Sequence, residues 1–199
     1  MGIFNKQKNF SSTVEYIIAG LGNPGKEYEM TRHNAGFIAM DYIAKQLDCD
    51  LTQLKFKSYC ACTLIGEKKV LLMKPQTYMN NSGQSVVEAM NFYKIKPENV
   101  IVLFDDISLD PGKMRIKRKG SDGGQRGMGN IIYLSGSDNF PRIKIGIGKK
   151  PDMWDLKDWV LSRFNRQDYE CVMNVCVNIL PALIDMTNGN IDKAMNRFN

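Results

Sequence analysis

The chain contains one histidine, His33, in the segment Thr31-Arg32-His33-Asn34-Ala35-Gly36, shortly after the glycine-rich run Gly20-Leu21-Gly22-Asn23-Pro24-Gly25. Imidazole is the side chain whose unperturbed pKa, about 6.5, lies nearest neutral pH, so proton transfer by histidine has a single agent here. A position at or just before a helix N-terminus is expected for His33, where the partial positive charge disfavours imidazolium and keeps the ring neutral and able to accept a proton. A neutral imidazole also needs orientation, usually from a carboxylate on its other nitrogen. Asp105, at the end of the apolar run Val100 to Phe104, is the expected supplier. Asp106 is its rival, and Asp110 falls in the following Pro-Gly turn.

Three further segments carry chemistry. Gly20-x-Gly22-x-x-Gly25 has the spacing of a dinucleotide-binding fingerprint, but no helix starts within the glycines and no acidic residue ends a second strand at the required distance. The run reads better as a sharp loop presenting Asn23 beyond the carboxyl end of a strand, where functional residues of α/β folds collect. Thr77-Tyr78-Met79-Asn80-Asn81-Ser82-Gly83 places amides, a hydroxyl and aromatic surface at a strand-to-helix turn, and the Asn80 amide can both donate and accept. Between Lys113 and Lys119 five of seven residues are basic. Strand alternation puts Lys113, Arg115, Lys117 and Lys119 on one face, where four like charges repel unless phosphates or counter-ions sit among them. The glycine-rich turn Gly120 to Gly124 follows, and its backbone amides can also receive phosphate oxygens.

The elements that must position these groups follow from apolar periodicity. Strands are expected at Val14 to Gly20, Tyr59 to Ile65, Lys69 to Met73, Val100 to Phe104, Lys113 to Lys119 and Arg142 to Ile147. Asn34 is the expected N-cap of a helix carrying Ile38, Tyr42, Ile43 and Leu47. Ser82 is the expected cap of another, carrying Val86, Val87 and Met90. Further helices are expected at Met128 to Leu134, Trp154 to Leu161, Gln167 to Met186 with a kink at Pro181, and Ile191 to Arg197. Alternating strands and helices predict an α/β fold: a single three-layer α/β/α domain over residues 14–199 around a twisted mixed sheet, with a helical C-terminal segment. Met1 to Thr13 is polar, lacks the apolar core of a secretion signal and reads as a short flexible extension.

Composition sets the remaining bounds. A hydrophobic content of 43% and a charged content of 24% are ordinary for a soluble globular protein. No uninterrupted apolar run approaches the length of a membrane span. Five cysteines (Cys49, Cys60, Cys62, Cys171 and Cys176) form an odd set without a Cys-x-x-Cys pair. With one histidine available, that argues against a zinc site and for reduced thiols in a cytoplasmic protein. The net charge of +6 is concentrated near the basic strand and points to a polyanionic partner.

Taken together, these segments resemble the bacterial-type peptidyl-tRNA hydrolase family. The matching pieces are the Gly20 to Gly25 run, Tyr28, the Thr31 to Gly36 segment, Lys74-Pro75-Gln76-Thr77-Tyr78-Met79-Asn80, Asp105-Asp106 with Pro111-Gly112, and Phe140 to Gly148. The resemblance implies a monomeric cytoplasmic enzyme that needs no metal or cofactor. Such an enzyme hydrolyses the ester between a prematurely released peptide and the terminal ribose of tRNA. It makes His33 the base that activates water, Asp105 its orienting partner, and Asn23 the residue that helps separate N-blocked peptidyl-tRNA from free aminoacyl-tRNA. Tyr28, Tyr78, Met79 and Asn80 would line the site for the tRNA 3′ end and peptide. Lys117 and Lys144 would clamp the tRNA 5′ phosphate, with Arg115 and Lys113 beside them.

One departure stands out. Where the family usually reads Gly-Gly-His-Asn-Gly, this chain reads Gly123-Gly124-Gln125-Arg126-Gly127. Arginine donates but does not accept, so Arg126 removes an acceptor and adds a charge at a substrate-binding position. That change also motivates an alternative: an RNA-binding paralogue with weak or no turnover.

Overall fold

The computed structural model describes residues 13–199, so the expected extension lies, apart from Thr13, outside the described residues. Strands form at β1 (Tyr16–Gly20), β2 (Gln53–Lys55), β3 (Ser58–Ile65), β4 (Lys68–Pro75), β5 (Val100–Asp106), β6 (Met114–Lys117) and β7 (Arg142–Gly146). Helices form at α1 (Ala35–Gln46), α2 (Ser82–Tyr93), α3 (Arg126–Ser135), α4 (Leu156–Leu161), α5 (Arg166–Thr187) and α6 (Ile191–Phe198). The seven strands make one mixed sheet in the order β2-β3-β4-β1-β5-β7-β6. The four inner strands β4, β1, β5 and β7 run parallel, and antiparallel strands flank them.

Strand alternation builds the three layers. Ile18, Val70, Leu72, Ile101 and Leu103 face a core shared with α1, α5 and α6. Ile17, Ala19, Leu71, Met73, Val102 and Phe104 face a second core under α2 and α3. Burial on both faces is why the inner strands read as continuous apolar runs. The α5 helix is long and apolar enough, by length and composition, to cross a membrane. Its stripe Val172, Cys176, Ile179 and Leu183 is instead fully buried in the first core, and the helix continues through Pro181.

Four local expectations need correction. The short strand β2 carries almost no apolar signal and was not expected. The basic strand is limited to Met114–Lys117, so Lys119 lies beyond it, although Met114 and Ile116 face inward while Arg115 and Lys117 face out. α4 starts at Leu156 rather than Trp154. Asn34 and Ser82 make no capping bond to their helices: Ser82 is the first residue of α2 and its hydroxyl donates to the Met79 carbonyl at 2.9 Å.

The sheet's topology gathers the candidate residues. β1 and β5 are parallel neighbours with Gly20 opposite Leu103, so the Asn23 loop and Asp105 emerge at the same end of the sheet. α1 docks across both tips at Gly36, where any Cβ would run into the backbone of Leu21 and Leu103. Glycine there sets the approach of the helix start, and hence the place of His33.

At the far edge, β6 has a free side, and open edges invite unwanted pairing. The Asn199 side chain occupies it, accepting from the Ile116 N–H at 2.6 Å and donating to the Ile116 carbonyl at 3.2 Å. Replacing Asn199 by alanine is expected to lower unfolding stability by about 1–2 kcal/mol, the net worth of two such bonds, measured by urea denaturation. An unchanged midpoint would show that the edge does not need this cover.

Candidate active site

The site begins with the loop after β1. The Leu21 N–H donates to the Leu103 carbonyl at 2.9 Å, extending the β1–β5 ladder into the loop. Asn34 then grips the Asn23 backbone from both sides, accepting from its N–H at 2.8 Å and donating to its carbonyl at 3.0 Å. This is where the side chain expected to cap α1 has gone. The Asn23 side chain accepts from the Met79 N–H at 2.8 Å through Oδ1. Its Nδ2 makes no hydrogen bond to the described residues, and Asn23 lines the cleft described below.

Met79 is placed by a strained neighbour. Tyr78 has φ 56° and ψ 157°, a region otherwise reserved for glycine. Such a conformation costs on the order of 1–3 kcal/mol and persists only where the surroundings enforce it. Here it accompanies the turn that directs the Met79 N–H at Asn23. The Tyr78 ring meets Tyr28 edge to face, with centroids 6.4 Å apart. Neither tyrosine lines the cleft that holds His33, whereas Met79 and Asn80 do.

His33 sits in a short 3₁₀ turn, Arg32–Asn34, two residues ahead of the first residue of α1. Its Nδ1 lies 2.9 Å from Asp105 Oδ2. A carboxylate there accepts, so Nδ1 carries the proton and Nε2 is left as the basic nitrogen. The segment is anchored from behind by Arg32, which donates to Ser162 Oγ at 3.0 Å and to Asp168 at 2.8 Å and lies 3.8 Å over the Trp159 ring. The Arg32 N–H also donates to the Ser162 carbonyl at 3.0 Å, tying the His33 turn to the α4–α5 connection.

The electrostatics differ from the expectation of a base held down by a helix terminus. Burial disfavours the charged ring and Arg126 pushes the same way. The charge and hydrogen bond of Asp105 outweigh both, so the His33 pKa is raised above 6.5. A carboxylate in contact prevails over a partial dipole charge two residues away.

Between the candidate carboxylates, strand alternation decides. Asp105 faces His33, while Asp106 accepts from Lys144 Nζ at 2.5 Å and from the Ser108 N–H at 2.7 Å and hydroxyl at 2.6 Å. Burial opposes ionisation of Asp106, but these donors prevail and lower its pKa. Asp110 remains in its turn, its carbonyl accepting from the Lys113 N–H at 3.0 Å.

His33, Asn23, Asn80, Asp105, Gln125 and Arg126 share one cleft of about 360 Å³, bounded on another side by Leu156, Val160 and Leu161. That volume suits one small organic moiety held by a few oriented polar groups. The basic residues divide. Lys113, Arg115 and Lys117 are exposed on β6 and its approach. Lys144 instead lines the cleft, with a side chain only 12% exposed and engaged by Asp106, so it does not stand free beside Lys117.

Two participants were not anticipated. Arg32 adjoins His33 in sequence, but its partners lie more than a hundred residues away. Gln125 is buried and donates to Asp105 Oδ1 at 3.1 Å. The departure at positions 125 and 126 is the signal the sequence offers for it, with the charge of Arg126 more conspicuous than the amide beside it.

Comparison with known proteins identifies the family and the fold. The family model described as peptidyl-tRNA hydrolase matches residues 17–199. The chain is 51% identical over 185 residues to the peptidyl-tRNA hydrolase of Agathobacter rectalis, covering 92% of this chain and 100% of that protein. It is also 51% identical over 184 residues to that of Caldanaerobacter subterraneus subsp. tengcongensis, covering 92% of this chain and 99% of the relative. The crystal structure of peptidyl-tRNA hydrolase from Acinetobacter baumannii superposes with a TM-score of 0.86 at 34% identity, covering 94% of this chain and 95% of that one. In sequence and in fold alike, the chain belongs to the peptidyl-tRNA hydrolase family.

Proposed function

We propose that this protein hydrolyses the ester linking a peptide's carboxyl group to the terminal ribose of tRNA, with His33 as general base. The observation that carries the reading is the His33–Asp105 pair, set in a cleft also lined by the amides of Asn23, Asn80 and Gln125 and by the cation of Arg126. Nε2 of His33 takes a proton from water as the water oxygen bonds to the ester carbonyl carbon. The imidazolium so formed is stabilised by Asp105. The tetrahedral intermediate then expels the ribose oxygen, which takes the proton back from His33, giving tRNA with a free terminal hydroxyl and a peptide carboxylic acid. General-base assistance of this kind contributes about 10²–10⁴-fold, and positioning and oxyanion stabilisation add to it.

The other roles follow the same logic. Asn23 offers Nδ2 to the substrate's peptide group and Asn80 offers donor and acceptor together. Arg126, exposed at the start of α3 and without an ion pair among the described residues, offers charge to an oxyanion or to a phosphate of the tRNA end. Tyr28 and Tyr78 present ring surface beside the Asn23 loop to the terminal nucleotides. Lys113, Arg115 and Lys117 are the candidates for phosphate contact. Lys144 supports them at one remove, by neutralising Asp106. We infer a cytoplasmic monomer in which residues 14–199 act as one domain, as the continuous sheet and its two shared cores support.

Incubation with an N-blocked aminoacyl-tRNA is expected to release free tRNA, while the unblocked form stays nearly intact. His33→Ala should lower kcat by at least about 10²-fold. Tight tRNA binding with no ester cleavage at any enzyme concentration would instead make the protein an RNA-binding paralogue.

The raised His33 pKa fixes a pH profile. The base works only when neutral, so kcat/KM should fall as pH drops through a value above 6.5. Folding responds in the opposite sense: the stabilisation from charged His33 is fully present below the unfolded value and fades as pH rises through the folded one. Arg126 disfavours the imidazolium, so Arg126→Asn should move the acid limb to higher pH. The shift can be followed both in rate and in the ring signals of the single histidine. An acid limb that stays in place would remove Arg126 from the electrostatics of the base.

For the basic strand, Lys117→Ala should weaken tRNA binding and reduce the slope of log K against log salt by about 0.7–0.9 per lost phosphate contact. Equal slopes for variant and parent would take Lys117 out of the phosphate interface.

A further inference from the structure

Asp105 is 4% exposed, and a carboxylate so deeply buried needs partners for both oxygens. Oδ2 faces His33 Nδ1 at 2.9 Å and Oδ1 faces Gln125 Nε2 at 3.1 Å. We propose that Gln125 is a positioning residue for catalysis, locking the rotation of the Asp105 carboxylate so that Oδ2 stays aimed at His33. This inference rests on the hydrolase reading and extends it by one residue beyond the pair.

The orientation of the Gln125 amide is dictated by its surroundings. Gln125 is the N-cap of α3, and its Oε1 accepts from the Met128 N–H at 2.7 Å. Helix N-termini present donors and require an acceptor, so the oxygen is committed to the helix. The NH₂ group must then point the other way. Its two hydrogens face Asp105 Oδ1 and the Met79 sulfur, the latter at 2.9 Å. Turning the amide over would set oxygen against carboxylate and leave the helix N–H facing a donor. The helix start thus acts as a ratchet on the amide, and the amide on the carboxylate.

Glutamine suits this task because it is neutral. A cation at the same place would compete with the imidazolium for the charge of Asp105 and weaken the base. An anion would repel the carboxylate. A neutral donor fixes geometry without drawing off the charge that raises the His33 pKa. Met79 is the same residue whose N–H holds Asn23 at 2.8 Å, so the Gln125 amide also touches the segment that presents the substrate-facing asparagine.

Capping and positioning can be separated by substitution. Gln125→Ser keeps a hydroxyl able to cap α3 but is too short to reach Asp105. Gln125→Leu keeps the volume and loses both bonds. Both are compared with the parent in kcat and KM on an N-blocked aminoacyl-tRNA, in thermal melting, and in the proton resonance of His33 Nδ1–H, which is unambiguous in a chain with one histidine. For Gln125→Ser we expect kcat lower by on the order of 10- to 100-fold, as for a catalytic group displaced by up to an ångström. KM should stay within about twofold, the melting temperature near the parent's, and the Nδ1 proton should move upfield or exchange into solvent. Gln125→Leu should show the same kinetic and spectroscopic changes with a lower melting temperature. Parental kcat with an unmoved Nδ1 resonance overturns the proposal. So does a loss confined to the less stable variant with the resonance in place, which would make Gln125 a helix cap only. Should the parent itself fail to cleave the ester, the hydrolase reading falls, and the Nδ1 resonance still decides whether Gln125 holds Asp105.

Discussion

A buried carboxylate must be paired, and in this protein the partner of Asp105 is an imidazole from a different layer of the fold. Meeting that requirement constrains much of the molecule. β5 has to end level with the loop after β1, which the parallel register of Gly20 with Leu103 provides. α1 has to start close over both strand tips, which the missing side chain of Gly36 permits. The turn carrying His33 has to be held from its outer side, and Arg32 supplies this through Ser162, Asp168 and the Trp159 ring. None of these contacts touches a reacting atom. Each removes a way for the pair to drift apart.

The sheet also solves a problem of like charges. Asp105 and Asp106 are adjacent in sequence, and two carboxylates side by side in a buried site would push one of them towards protonation. Strand pleat sends them to opposite faces, and each meets its own complement: His33 and Gln125 for one, Lys144 and Ser108 for the other. Lys144 therefore serves the cleft by cancelling a charge that would otherwise add to that of Asp105. The outward Arg115 and Lys117 of β6 carry positive charge outside the cleft, and Arg126 and Lys157 add more to its lining.

What is legible in the sequence follows how plainly each element marks itself. The inner strands were readable because burial on two faces leaves continuous apolar runs, and α1, α2 and α5 because one face of each is apolar. The His33–Asp105 pair was inferred from a strand end and a helix start, features that sequence marks well. Asn34 and Ser82 misled because their side chains, suited to capping, bond to the Asn23 loop and the Met79 carbonyl. Gln125 carries no comparable mark, because a neutral amide ahead of a helix shows only its capping use and its bond to Asp105 arises in the folded chain. The resemblance pairs Lys144 with Lys117 as a phosphate clamp, and the contact of Lys144 with Asp106 is a feature that charge in a sequence does not record.

The exchange that stands out in the cleft, Arg126, can be weighed against the base it adjoins. Asp105 strengthens His33 as a proton acceptor and by the same interaction keeps more of it protonated near neutrality. A base gains from being strong only while it is free to accept, so the best value lies close to the working pH. Arg126 opposes the charged ring and returns His33 part of the way. The asparagine usual at this place carries no charge with which to do so. The loss of an acceptor amide is thus accompanied by a second lever on the same titration. Gln125 fixes where the carboxylate points, Arg126 limits how far it raises the base, and the two neighbouring departures act on one proton.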